Sequence, residues 1–141
     1  GRDGQTLNGK WQSEGTKTFL GIQSHGFPNL FIVSGPQGGG GSFNFTNAIE
    51  EHGDYIVWML STMREQGAKI VDVHQEPEDR YAAHCRNADI NSAPLRDCVS
   101  YYNDEGNAEP GSLAYYGGGT WHKIRIEAQA SLEPYLFEPG N

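Results

Sequence analysis

An α/β fold is the class this sequence predicts, and three observations lead to it. The successive apolar residues Leu30, Phe31, Ile32 and Val33 follow a Gly26-Phe27-Pro28-Asn29 turn and end in Gly35-Pro36. Four apolar side chains in a row suit a strand buried on both faces, as in a parallel sheet. A glycine-rich segment, residues 37–42, then leads into the best helical pattern in the chain, with no second strand between. A further strand-then-helix succession follows at residues 68–87. A strand, a glycine loop and a helix N-terminus in that order form one wall of a nucleotide or cofactor site, because backbone N–H groups and the helix dipole converge there.

The elements run as follows. Residues 1–15 are polar and turn-rich, with Leu7 and Trp11 as large anchors. Residues 16–22 have the β-branched and aromatic content of a strand. The long helix is expected from Asn47, because Ile49, His52, Ile56, Met59, Leu60 and Met63 recur at steps of three and four. Asn47 and Glu50 are spaced as a cap and its partner, and Gly67 stands in the usual closing position. Residues 68–73 read as a short strand through Ile70, Val71 and Val73. Pro77 opens a second helix to about Asn87, with Glu78 and Asp79 complementing its dipole. Residues 98–102 and 113–116 have strand content on either side of a polar loop. Residues 121–130 read as a final helix, a strand through Ile124 and Ile126 being the alternative.

Composition narrows the function classes. A chain of 141 residues suits one domain, and 36% apolar with 20% charged residues fits a globular protein. No apolar run approaches the ~20 residues of a membrane span, and no secretory leader pattern is present, so a cytoplasmic, membrane-free protein is expected. The chain opens at Gly1 without a methionine, as a processed product or a piece of a longer chain would. A net charge of −8 argues against nucleic acid as partner, since phosphate neutralisation needs clustered Lys and Arg. Cys85 and Cys98 are too few for a disulfide framework. The five histidines lack metal spacing, and His84 beside Cys85 is no zinc signature, so no metal is expected.

Residues 35–42 come close to the phosphate-binding G-x-x-x-x-G-K-[ST] pattern, but Gly41 stands where the lysine belongs. A dinucleotide G-x-G-x-x-G fails because Gln37 occupies the second glycine position. The glycine run is therefore either a flexible connection or a site, and its place between a strand and a helix points to a site.

Trp11; Thr16-Lys17-Thr18-Phe19-Leu20-Gly21; Gly26-Phe27-Pro28-Asn29-Leu30-Phe31 with Gly35-Pro36; Asn44; Ile49-Glu50 with His52; Trp58; Ser100-Tyr101-Tyr102; Asn107; and Gly117-Gly118 stand in this order along the chain. Together these segments resemble the C-terminal part of Baeyer–Villiger monooxygenases, flavoenzymes of the cyclohexanone and phenylacetone monooxygenase type. The Gly-Phe-Pro-Asn-Leu-Phe segment with its Gly-Pro carries most of the resemblance, which extends over nearly the whole chain. It implies the C-terminal segment of a Rossmann-like FAD-binding domain, a few strands plus a long helix, over residues 1–67. Residues 68–141 would be a C-terminal α+β extension packed on the same domain.

The resemblance also implies FAD and NADP as cofactors and a ketone and O2 as substrates, one oxygen atom being inserted beside the carbonyl to give an ester or lactone. The glycine fingerprints for both cofactors, the F-x-G-x-x-x-H-x-x-x-W-P signature and the catalytic arginine have no counterpart here, so no catalytic residue is expected in this chain. Its partner would be the missing N-terminal FAD and NADP portion, and the chain alone is expected to be inactive. By resemblance, Gly35, Pro36, Asn44 and Phe45 face the flavin, Tyr101 contacts NADP or substrate, and Gly40, Gly41, Ser42 and Phe43 line the substrate pocket. Tyr101 stands where the family commonly has tryptophan. The loop from Asn107 to Ser112 lacks the family's lysine and carries an added residue. The residues alone leave two other readings open: a free-standing nucleotide or small-ligand module, and a non-catalytic interaction module.

Overall fold

The structure is a computed structural model that describes residues 1–39, 44–88, 99 and 118–140. It is a mixed α/β arrangement. After a 3-10 turn at Arg2–Gly4 come α1 (Leu7–Glu14), α2 (Phe45–Glu65), β1 (Ile70–Val73), α3 (Gln75–Asn87), α4 (Gly118–Gln129) and β2 (Tyr135–Glu138). The two strands pair antiparallel, with Ile70 opposite Glu138 and Val73 opposite Tyr135. Their ribbon carries Val71, Val73 and Tyr135 into a core shared with Tyr55, Met59 and Met63 of α2, Tyr81 and Cys85 of α3, and Trp121 and Ala128 of α4.

The long helix starts two residues before the expected Asn47. Asn44 is its cap, and its side chain accepts from the Thr46 N–H at 3.0 Å. Asn47 lies inside the first turn. At the other end Gly67 closes the helix as its sequence position predicts. It takes φ +65°, Gly67 N–H donates to Arg64 O at 3.2 Å, and Ala68 N–H donates to Met63 O at 2.8 Å. Those two bonds satisfy carbonyls the helix would otherwise leave open. α3 begins at Gln75, so Pro77 sits within its first turn. α4 replaces the alternative strand through Ile124 and Ile126.

Two expected strands are not strands. Across residues 16–22 the chain doubles back at Leu20 and Gly21, both at positive φ (60° and 73°), and Phe19 and Gln23 exchange both backbone bonds. Among the described residues, 30–33 make one long-range backbone bond, Ile32 N–H to Ile22 O at 2.8 Å, and Val33 is 49% exposed. Pairing stops there because Ser34 turns left-handed at φ 56° and Pro36 has no N–H to donate. Asn29 takes the place beside β1 that a neighbouring strand would hold. Its N–H donates to Val71 O and its side-chain oxygen accepts from Val71 N–H, both at 2.9 Å. The strand-like segments at 98–102 and 113–116 lie outside the described residues.

Two elements had no sequence signal strong enough to predict them. α1 forms within the polar stretch 1–15, with Thr6 capping Gly9 N–H at 3.1 Å. β2 forms because Tyr135 and Phe137 pack with the aromatic core once β1 offers its edge.

Candidate functional site

The first half of the glycine loop is packed, not free. Gln37 is fully buried at φ 67°. Its side-chain oxygen accepts from Thr18 N–H at 3.0 Å, and its amide nitrogen donates to Thr16 O at 3.3 Å. The Thr18 hydroxyl donates to Pro36 O at 2.8 Å and accepts from Gly21 N–H at 3.0 Å. From α3, the Tyr81 hydroxyl donates to Gln37 O at 2.5 Å. From α4, Trp121 covers Gly39, and its indole N–H donates to Leu20 O at 3.0 Å.

Glycine is required here by close approach. A Cβ at Gly35 would stand 2.3 Å from Gly21 O, and one at Gly39 would stand 2.4 Å from the Trp121 ring at φ +74°. Both are well inside contact distance. Gly35 and Gly39 thus let three segments meet.

The α2 helix reaches the loop through His52, which is buried to 1% exposure. Its Nδ1 accepts from Ser34 N–H at 3.0 Å, so Nε2 carries the proton and donates to Gly38 O at 3.2 Å. Burial holds this imidazole below its ordinary pKa, against a smaller opposing effect of the Gly38 hydrogen bond. Next to it, Glu51 Oε2 accepts from Arg125 Nε at 3.1 Å and lies 2.8 Å from His122 Nδ1, tying α2 to α4.

Of the residues singled out in the sequence, Gly35 and Pro36 are half-buried in this packed loop, while Asn44 and Phe45 are exposed at the N-terminus of α2. His52 stands eight positions, a rise of about 12 Å, along α2 from Asn44. Its two bonds to Ser34 and Gly38 tie the loop to the body of the same helix. Gly40, Gly41, Ser42, Phe43 and Tyr101 lie outside the described residues. The sequence did not point to Gln37, Thr18 or Trp121, whose partners are far away in the chain. His52 carried a signal, a polar residue on the apolar stripe of its helix.

Elsewhere, Lys10 of α1 and Glu78 of α3 form a buried ion pair at 2.7 Å. Ser24 Oγ and His25 N–H both donate to the second Glu78 oxygen, at 2.8 and 3.0 Å. This network fastens α1 to α3. An open pocket of about 550 Å³ lies nearby, lined by Arg2, Asp3, Lys10, Glu14, His25 and Gln75 among others. It contains none of the residues expected to bind cofactor or substrate. Among the described residues no group of three or more His, Cys, Asp or Glu side chains could hold a metal ion. No described helix is long and apolar enough to cross a membrane.

No family model matches the chain. It is 32% identical over 130 residues to neopentalenolactone D synthase of Streptomyces avermitilis, covering 89% of this chain and 22% of that protein. It is 32% identical over 128 residues to a Baeyer–Villiger monooxygenase of Streptomyces coelicolor, covering 88% and 21%. Among solved structures, polycyclic ketone monooxygenase of Thermothelomyces thermophila superposes with a TM-score of 0.80 at 27% identity over 99% of this chain and 24% of that one. An oxidised steroid monooxygenase bound to NADP superposes at 0.76 and 25% identity, covering 99% and 26%. The chain thus spans between a fifth and about a quarter of the proteins it resembles.

Proposed function

Since this chain belongs to the Baeyer–Villiger monooxygenases and corresponds to a C-terminal portion of such an enzyme, we propose that it supplies the flavin-facing wall of an FAD- and NADPH-dependent ketone monooxygenase. The observation that carries this reading is that the packed Gly35–Gly39 loop is bonded through His52 to α2, the helix whose exposed N-terminus begins at Phe45. A helix of 21 residues presents its first-turn N–H groups and positive dipole end there, which suits the electron-rich edge of a reduced flavin.

Gly35, Pro36, Asn44 and Phe45 would hold FAD, Tyr101 would meet NADP or substrate, and Gly40, Gly41, Ser42 and Phe43 would line the ketone pocket. When bound, the two cofactors supply the electrons and the activated oxygen. This chain's residues orient the flavin and exclude water. Residues 1–67 would complete the Rossmann-like FAD domain and residues 68–141 would pack on it. The parallel strands of that sheet would then come from the rest of the enzyme, and the segment alone would be inactive.

A strip of exposed apolar side chains on α2 supports the idea of a missing partner. Ile49 is 38%, Leu60 52% and Val57 64% exposed. Bare Gly53 lies between them, with nothing within 4 Å of where its Cβ would stand. The same strip also favours a second reading, a non-catalytic interaction module.

The test is the visible spectrum of the purified chain after FAD is added and the excess removed, alone and co-expressed with an upstream FAD and NADP portion. Flavin retained only on co-expression, with ketone oxidation restored, is the expected result. Flavin held by the chain alone would instead favour a stand-alone nucleotide module. Flavin held in neither case would favour the interaction module.

A further inference from the structure

We propose that His52 is the positioning residue of the Ser34–Gly38 loop, a neutral imidazole that fixes the loop backbone from inside and thereby sets the wall offered to FAD. The inference rests on the cofactor role proposed above. Three observations lead to it.

The first is the pairing. The imidazole uses both ring nitrogens on the loop backbone, accepting from Ser34 N–H at 3.0 Å and donating to Gly38 O at 3.2 Å. One ring thus spans both ends of a five-residue turn that is also closed internally by Gly38 N–H to Gly35 O at 3.1 Å. Second, the loop is cut to fit the ring. A Cβ at Gly38 would stand 3.0 Å from His52 Cε1 and 3.3 Å from Nε2, so glycine is what lets the backbone come down onto the imidazole. Third, an anchored aromatic ring packs beside the imidazole. The Trp121 ring lies 5.1 Å from it, centroid to centroid, and is itself anchored to Leu20 O.

The arrangement works in one protonation state. A proton on Nδ1 would place a donor against the Ser34 N–H donor, and the loop would lose that bond. From α2 itself, Glu51 favours the charged ring; from α4, Arg125 opposes it. His122 faces Glu51, and residues 34–39 bring no charge. Burial is the largest influence and keeps the ring neutral. The sign follows. The folded imidazole titrates below its ordinary value near 6.5, so loop order is complete above that value and is lost as pH falls through the lower, folded one.

The experiment uses the whole monooxygenase carrying this segment, as wild type, His52→Leu and His52→Gln. Glutamine keeps one acceptor and one donor, whereas leucine keeps neither. In flavin-free protein, hydrogen exchange at the Ser34 amide should rise about tenfold in H52L and return toward wild type in H52Q. FAD should bind about tenfold more weakly to H52L with an altered visible band, and H52Q should restore both. The acid-side loss of flavin in wild type should flatten in H52Q, which has no group to protonate there.

Unchanged Ser34 exchange in H52L overturns the proposal, and so does faster exchange with unaltered flavin affinity and spectrum. An H52Q protein as impaired as H52L would also overturn it, because packing and not hydrogen bonding would then be the cause. Should H52L fail to fold, the acid profile of H52Q decides: a flattened limb supports the proposal and an unchanged limb overturns it. A wild-type enzyme that takes up no FAD refutes the cofactor role above, and with it the flavin half of this inference. The exchange data then show separately whether His52 orders the loop.

Discussion

Single residues in this chain matter most where a polar group is buried with its partner. Lys10 is 2% exposed and Glu78 0%. Removing one member of such a pair leaves the other charge buried and uncompensated, at a typical cost of about 3–5 kcal/mol. Lys10→Met should lower the urea midpoint accordingly, and adding Glu78→Gln should recover part of the loss, since a neutral amide tolerates the missing ammonium. Cys85 gives a chemical counterpart. Burial pushes its thiol up to about 12, so almost no thiolate exists at pH 8. Iodoacetamide should leave Cys85 untouched in the native chain and modify it after denaturation, as read by peptide mapping. Neither the Lys10–Glu78 pair nor the role of Gln37 was legible in the sequence. Their partners lie 68 and up to 44 positions away, and no local pattern encodes such distances.

At the scale of elements, local rules succeeded where local forces decide. The closing Gly67 and the Pro77 start are set within a turn or two of chain, and each falls within about two residues of its expected place. Of the expected α2 stripe, His52, Met59 and Met63 are buried, whereas Ile49 and Leu60 are 38% and 52% exposed. Gly67 is the sharpest case, because its φ of +65° is the reason for glycine and nothing lies within 4 Å of an added Cβ. Gly67→Ala should therefore cost about 1 kcal/mol through backbone strain alone, and Gly67→Asn clearly less, in thermal unfolding. Gly53, mid-helix with equal space and no positive φ, reverses the sign: Gly53→Ala should stabilise by about 0.5–1 kcal/mol. The expected strands at 16–22 and 30–33 failed for the complementary reason. Their composition is that of strands, but a strand needs a neighbour, and here side chains such as Asn29 and Thr18 take the bonds a neighbour would make. What the sequence left unread in the glycine loop is a packing demand on its first half, where Gly35, Gly38 and Gly39 admit the close approach of Gly21, His52 and Trp121.

For the whole molecule the main fact is a core completed on one side and an apolar strip left open on the other. The buried face of α2, with His52, Tyr55, Met59 and Met63, lies in the core, His52 against the 34–38 loop and Trp121 and Tyr55 against Gln23 and Tyr135, whereas Ile49, Val57 and Leu60 are exposed. If the rest of a monooxygenase covers that strip, Val57→Glu with Leu60→Glu should have opposite effects in two settings. The isolated chain should become less prone to self-association in sedimentation. The whole enzyme should lose flavin and stability, with a midpoint lowered by several kcal/mol equivalents for two charges buried in an apolar contact. Equal behaviour in both settings would argue that the strip faces solvent in the intact protein. This strip was not legible in the sequence, where Ile49 and Leu60 fall at the same three- and four-residue steps as the buried His52, Met59 and Met63.

The guanidinium of Arg2 links Asp72 and Glu138, so the second residue of the chain sits beside the end of the β1–β2 ribbon. Residues 136 positions apart are thus neighbours. Two dyes attached beside Arg2 and Glu138 would begin in close proximity and separate when the ribbon edge lets go, giving a direct optical report of that opening.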